Sequence, residues 1–383
     1  MTLKIARRGR ISPFIVMEVM QAAAAREAAG KGVLHLEVGQ PGSGAPSGVI
    51  AAAEAALRGD TLGYTVALGI PALRARIAAH YRNCYGLDVP VERIAVTTGS
   101  SGAFLLSFLS AFDAGDRVAL ADPGYPAYRN ILKALGVEPV AVPTDMETRF
   151  QPTPALLERT AADVDGLIVA SPSNPAGTMI DARRMAALAE WCRERGVRLI
   201  SDEIYHGLTY HSVDAVCALA HAPDAIVINS FSKYFSMTGW RLGWMVVPED
   251  LVRPVECLAQ NLFISPPTLS QRAAVAAFDC FDELDANRDR YARNRALLLD
   301  ELPKAGYDRL APADGAFYIY ADIARLTNDS EAYCRRMLAE IGVAATPGTD
   351  FDPERGHHFV RFSFAGSTED MAEAARRLIA WNR

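Results

Sequence analysis

GLIVASPSNPAGTMIDARRMAALAEWCRERGVRLISD, residues 166–202, decides the fold. It opens on a short apolar run, GLIVAS, and crosses a turn rich in proline and glycine. A helical stretch at 181–195 follows, and the segment closes on a second apolar run, VRLISD. A strand with no polar face has no side for water, so it belongs in a sheet covered on both faces. Working outward, the same design recurs upstream in RIAVTT (93–98), RVALAD (117–122) and EPVAVP (138–143), and downstream in AIVINS (225–230) and GWMVVP (243–248). Helical stretches at 101–112, 125–136 and 154–162 lie between them. The pattern is that of the α/β class: a mostly parallel sheet flanked by helices on both faces.

The flanks read differently. Residues 14–30 have helical spacing with a stop at Gly30, VLHLEVGQP reads as a short strand, and helices are expected at 46–58 and 70–85 with Pro71 in a first helical position. Beyond residue 270 two long helices, 270–302 and 329–342, accompany strand candidates at 316–321 and 359–364, which points to a smaller α+β domain. The division expected is an N-terminal arm over 1–45 that joins the small domain, a large domain over 46–275 and a small domain over 276–383.

Composition narrows the function. The 383 residues suffice for about two domains. A net charge of −6, with lysine and arginine scattered, leaves no footprint for nucleic acid or an anionic membrane. No apolar run reaches the roughly 18–20 residues of a membrane span. The N-terminus is basic and then apolar, but Pro13 and Glu18 interrupt it and no small-residue cleavage site follows. The six cysteines are widely spaced, which fits neither a zinc site nor a disulfide framework. A cytoplasmic protein with reduced thiols and no metal is expected.

Polar clusters stand at the ends of several strands, where parallel sheets bind ligands. They are TTGSSGA (97–103), DPGYPAY (122–128), SPSNPAGT (171–178), SDEIYHG (201–207) and SFSKYFSMTGWRLG (230–243). Singly, each has an ordinary explanation. Ser100 and Ser101 cap a helix as readily as they hold a phosphate, Asn174-Pro175 is a turn, and Asp202 is a cap or ion-pair partner. Tyr125 could wall off the core, and Arg241 could stack on Trp240. Lys233 is the least ordinary, because it sits among Phe231, Tyr234 and Phe235.

In their joint order these segments resemble the class I/II aminotransferases, the fold-type I pyridoxal-phosphate enzymes. The strongest part is Ser230-Phe231-Ser232-Lys233 with Arg241 eight residues on, preceded by SPSNPAGT and by Asp202 with Tyr205. The resemblance runs from about residue 12 to the C-terminus. It implies that Lys233 holds pyridoxal 5'-phosphate as a Schiff base and carries the proton in catalysis. Asp202 would pair with the ring nitrogen, Tyr205 and Asn174 with the phenolic oxygen, and Tyr125 would stack on the ring. Ser100, Ser101, Ser230 and Arg241 would bind the phosphate. Tyr64 matches the tyrosine that reaches the partner subunit's phosphate, which implies a homodimer with shared active sites. Arg361 would grip the substrate carboxylate, with Gly39 offering backbone. One departure is visible: many relatives carry an acidic and an aromatic residue after the glycine-proline turn, where this chain reads GQPGSGAP.

The leading reaction is ping-pong transfer of an amino group from an L-amino acid to a 2-oxo acid. A carbon–sulfur β-lyase uses the same constellation and is the alternative. A cofactor-sensing transcription regulator would place a DNA-binding domain ahead of the resemblance. Phe14, Ile15, Val16 and Met17 tilt the donor toward aliphatic or aromatic amino acids, with 2-oxoglutarate or pyruvate as acceptor.

Overall fold

The computed structural model describes residues 3–210 and 214–382. All seven apolar runs are strands of one sheet: Ile94–Thr97 (β1), Arg117–Asp122 (β2), Glu138–Pro143 (β3), Gly166–Ala170 (β4), Arg198–Asp202 (β5), Ile226–Ser230 (β6) and Gly243–Val246 (β7). Their spatial order is β1-β7-β6-β5-β4-β2-β3. Strands β2 to β6 pair in parallel, and β7 runs antiparallel to both of its neighbours. Every residue of β1, β6 and β7 is buried, as unbroken apolar runs require.

The helices begin and end where local chemistry says they should. Ala182–Arg195 starts at Asp181, whose carboxylate accepts from the Arg184 N–H at 2.8 Å, and stops at Gly196 in the left-handed region at φ 67. Its buried face includes Met185 and Leu188, each worth about 2 kcal/mol of burial. A glycine is also required at Gly243. A Cβ there would stand 2.9 Å from both the Asn229 carbonyl oxygen and the Ser100 nitrogen. This close approach sets β7 against the first turn of helix Gly99–Ala111.

A smaller four-stranded antiparallel sheet lies in the C-terminal part, in the order Thr346–Pro347, Phe359–Ser363, Tyr318–Asp322, Arg309–Leu310. In it Arg361 stands opposite Tyr320 and Thr346. Helices Phe281–Glu301, Ser330–Ile341 and Thr368–Trp381 accompany it. Leu34–His35 pairs in parallel with Val343–Ala344, which ties the N-terminal segment to this part of the chain.

Two local expectations change, and two helices stand where none was expected. The strand in VLHLEVGQP shrinks to two residues, because carbonyls further along serve side chains: Glu37 O accepts from Arg361 and Thr346, and Gly39 O from Lys233. The helix at 270–302 divides into Thr268–Ala274, a tighter turn Val275–Asp279, and Phe281–Glu301. The turn carries Phe278 into a cluster with Phe231 and Phe235, ring centroids 5.7 and 5.1 Å away. Helix Glu249–Leu262 was hidden by Pro254, which reads as a breaker yet sits inside it. Helix Thr368–Trp381 also went unread, although Ser367 caps it through the Asp370 N–H. Among the described residues no helix is long and apolar enough to cross a membrane.

Candidate active site

The carboxyl ends of β2, β4, β5 and β6, the first turn of helix Gly99–Ala111, the small sheet and the N-terminal segment enclose a cavity of about 490 Å³. Gly39, Ser100, Ser101, Tyr125, Asn174, Asp202, Tyr205, Lys233, Arg241 and Arg361 all line it. They come from positions up to 322 residues apart, so only the fold brings them together.

Lys233 lies in the loop after β6, and its amine donates to the Gly39 carbonyl at 2.6 Å. The Tyr205 and Phe317 rings flank it at 5.7 and 6.0 Å. Burial, helped by the positive charges of Arg361 and Arg241, pushes its pKa down to about 8, with Asp202 opposing. Asp202 ends β5, 3% exposed. One of its oxygens accepts from the Ile204 N–H at 3.1 Å and the other from the Tyr128 hydroxyl. Burial raises this carboxyl to about 6, against the pull of those two bonds and of Lys233.

At one end, Ser100 and Ser101 occupy the first turn of Gly99–Ala111, which carries no acidic residue. Arg241 stands over that turn: a Cβ on Gly99 would meet its Nη2 at 2.6 Å, so this position, at φ +71, demands glycine. Free N–H groups, hydroxyls and a guanidinium at a helix start make a cradle for an anion. At the other end is Arg361, buried in the small sheet. It donates to Asn174 Oδ1 at 2.8 Å, to Thr346 Oγ1 at 3.2 Å and to the Glu37 carbonyl. Its guanidinium also lies 4.2 Å from the centre of the Tyr318 ring. These bonds use three of its five N–H groups, and its buried Nε has no partner among the described residues. Between the two ends, Tyr125 forms a wall with Phe14 edge-on to it at 5.7 Å, and Tyr205 shares a 2.8 Å hydrogen bond with Tyr318.

The family model described as aminotransferase class I and II matches residues 31–378. The chain belongs to this family. It is an aminotransferase by that membership. Over 384 aligned residues, all of this chain and 99% of the relative, it is 54% identical to the valine–pyruvate aminotransferase of Mycobacterium tuberculosis. A crystal structure of an aminotransferase from Mycobacterium tuberculosis superposes with a TM-score of 0.98 at 54% identity, covering 99% of each chain. The aspartate aminotransferase of Thermus thermophilus with maleate is more distant, at 31% identity and TM-score 0.93, covering 99% of this chain and 100% of that one.

Two expected residues stand apart from the aminotransferase cavity. Ser230 does not line it, because its hydroxyl accepts from the Ser232 N–H at 3.0 Å and faces the Leu242 carbonyl at 3.4 Å. Ser232 lines the cavity in its place. Tyr64 is on the surface, 84% exposed. Sequence reasoning also missed Tyr128, Tyr318 and Thr346. Tyr128 was findable: it follows Tyr125 by three residues in a helical stretch, a spacing that puts both on one side. Tyr318 and Thr346 carried no local signal, since only the tertiary fold brings Tyr318 to Tyr205 and only sheet pairing sets Thr346 against Arg361.

Proposed function

We propose that this aminotransferase uses pyridoxal 5'-phosphate to move the amino group of apolar L-amino acids, valine among them, to pyruvate by a ping-pong route. The observation that carries the donor class is the cavity wall formed by Phe14, Val16, Met17 and Met20, which faces the same space as Arg361. An apolar side chain gains by burial there, whereas a second carboxylate would be stranded without a cation. The full-length relative named for valine and pyruvate supports the same reading. Every relative reported above is named for amino transfer, so carbon–sulfur cleavage is not proposed.

The residues present fit the cofactor. An anion cradle, a wall aromatic, a buried carboxylate and a buried amine stand in one cavity, in the chemistry that a phosphate, a ring, a protonated ring nitrogen and an aldehyde require. When bound, pyridoxal phosphate supplies an aldehyde carbon to take up the amino group and a ring to spread the charge left at the α-carbon. Lys233 is its proposed covalent anchor. In the cofactor-free cavity its pKa near 8 leaves the amine partly neutral at physiological pH, and such an amine would be fit to take a proton from the substrate's α-carbon and return it. Asp202 would supply the negative charge that keeps a proton on the ring nitrogen. Tyr205 and Asn174 orient the ring's phenolic oxygen, and Tyr125 covers the ring face. Ser100, Ser101 and Arg241 bind the phosphate. Ser230 shapes the Lys233 loop and reaches the phosphate only by turning its hydroxyl. Arg361 fixes the substrate carboxylate, with the Gly39 backbone beside it.

We also propose a homodimer with shared active sites. Tyr64 and Val66 are exposed beside exposed Leu262 and Ile264, and the two segments are joined by a 2.6 Å bond from Thr268 Oγ1 to the Gly63 carbonyl. A second copy would bury this apolar surface and bring Tyr64 to its neighbour's phosphate. A cytoplasmic location is supported by six free cysteines. A division into segments 1–45, 46–275 and 276–383 accords with the two sheets.

The test is a donor panel with pyruvate as acceptor, following alanine formation. Higher kcat/KM with valine than with aspartate is expected. Preference for aspartate would overturn the donor class and leave the aminotransferase assignment standing.

A further inference from the structure

Helix Ile15–Ala28 starts without a cap of its own, since the preceding Phe14 offers no side-chain hydrogen bond. The first N–H groups of a helix have no partner inside it. Here the acceptor comes from the far end of the chain. Asp350 Oδ1 accepts from the Ile15 N–H at 3.0 Å, and Oδ2 from the Val16 N–H at 3.3 Å. Asp350 is 1% exposed, and its carboxylate stands where the helix dipole favours negative charge. The helix start held in this way carries Phe14, Val16 and Met17 into the cavity.

The next residue looks the other way. The Phe351 ring centre lies 4.7 Å from the Arg361 guanidinium. Arg129 clamps this dipeptide from outside, donating to the Asp350 and Phe351 carbonyls. Two adjacent residues therefore touch both halves of the substrate space, the apolar wall through a carboxylate and the carboxylate grip through a ring. For a substrate held by its carboxylate at Arg361, the distance to that wall decides which side chains fit.

We propose that Asp350 is a positioning residue for donor specificity: it locks the start of helix Ile15–Ala28 at a set distance from Arg361, so that donors are selected by side-chain size. This rests on the cavity's being the donor site. Asp350 does not line the cavity, so its effect on side-chain size is carried by the helix; its charge near Arg361 acts on every donor alike and leaves the ratio between donors unchanged.

The experiment uses the cofactor-loaded Asp350→Ala and Asp350→Asn enzymes. Hydrogen–deuterium exchange reports the amides of residues 15–17, and kcat/KM is measured for valine and for alanine as donor in the half-reaction without acceptor, followed by 2-oxo acid release. In Asp350→Ala those amides exchange faster, and the valine-to-alanine ratio falls roughly tenfold, the scale of a lost helix cap. Asp350→Asn falls between, because its amide oxygen still accepts one N–H, and it serves alone if the alanine variant does not fold. Cofactor absorbance stays unchanged. An equal loss on both donors, or an unchanged ratio, overturns the proposal. If the wild type prefers aspartate, the donor class falls, and the aspartate-to-alanine ratio decides the role of Asp350 in the same way.

Discussion

Arg361 and Asn174 meet through a 2.8 Å hydrogen bond although 187 residues separate them in the chain. Arg361 belongs to the small sheet and Asn174 to the loop after β4, so this bond crosses between the two sheets inside the cavity. The planar fork is held from two sides, Nη1 on Asn174 and Nη2 on Glu37 and Thr346, while Nε has no partner among the described residues. A lysine reproduces the charge and neither the fork nor the stacking on Tyr318. Arg361→Lys should therefore raise KM for amino and oxo acid together, by about 2–3 kcal/mol or roughly 30- to 150-fold, with kcat changed less. Steady-state kinetics in both directions checks this. A loss confined to one substrate would place Arg361 on the side-chain pocket.

Tyr128 sets the charge on Asp202. Burial lifts that carboxyl to about 6, and the donated Tyr128 hydrogen bond holds it from rising further. Tyr128→Phe removes the donor, so the carboxyl keeps its proton to higher pH. The acid limb of the kcat profile should move up by about one pH unit, the equivalent of one hydrogen bond. The sign for stability of the cofactor-free protein follows from the same shift. The folded state keeps the proton to about 6 and the unfolded chain releases it near 3.8, so stability falls as pH rises between these values and stays lower above them. Asp202→Asn should therefore melt higher than wild type above about pH 6 and lose that advantage below about pH 4. Melting curves that differ equally at both pH values would refute this.

The large sheet was legible because its signal is local: each of the seven runs has an apolar, β-rich centre, and each is a strand. The same holds for Asn174, Asp202 and Lys233, which stand at or within a few residues of the carboxyl ends of their strands and line one cavity. What escaped depends on distance in the chain. Tyr318, Thr346 and Asp350 act on residues 113 to 335 positions away, and nothing in their own neighbourhoods marks them. Ser230 shows the opposite failure. Its place in the motif was legible, but the rotation of its hydroxyl toward Ser232 and Leu242 was not.

Lys233 should behave as an unusually acidic amine before the cofactor arrives. Burial, Arg361 and Arg241 bring it from 10.5 to about 8, so roughly a quarter of the amine is neutral at pH 7.5. The neutral amine is the nucleophile toward an aldehyde. The rate at which cofactor-free protein captures pyridoxal phosphate, followed by absorbance, should rise with pH to a plateau with a midpoint near 8. Lys233→Ala should show no capture at the site. A rate still climbing through about pH 10 would mean that the cavity does not depress this lysine.

Gly39 tests how tightly the centre is packed. A Cβ there would stand 1.9 Å from the Tyr318 hydroxyl oxygen and 3.0 Å from its ring carbon Cζ, a clash that a stiff phenol between two sheets cannot absorb by bending. Tyr318 holds Tyr205 at 2.8 Å and lies under Arg361, while Gly39 itself accepts from Lys233. Gly39→Ala should therefore disturb in one step Tyr205, Arg361 and Lys233, the residues proposed to orient the cofactor, to grip the substrate and to anchor the cofactor. A loss of roughly 100-fold or more in kcat/KM is expected with the far-ultraviolet spectrum unchanged, since small misplacements at a reacting centre cost that much. Adding Tyr318→Phe removes the clashing oxygen and should restore part of the loss. If the double variant were no better than Gly39→Ala alone, the damage would lie in the backbone at residue 39 and not in the Tyr318 contact.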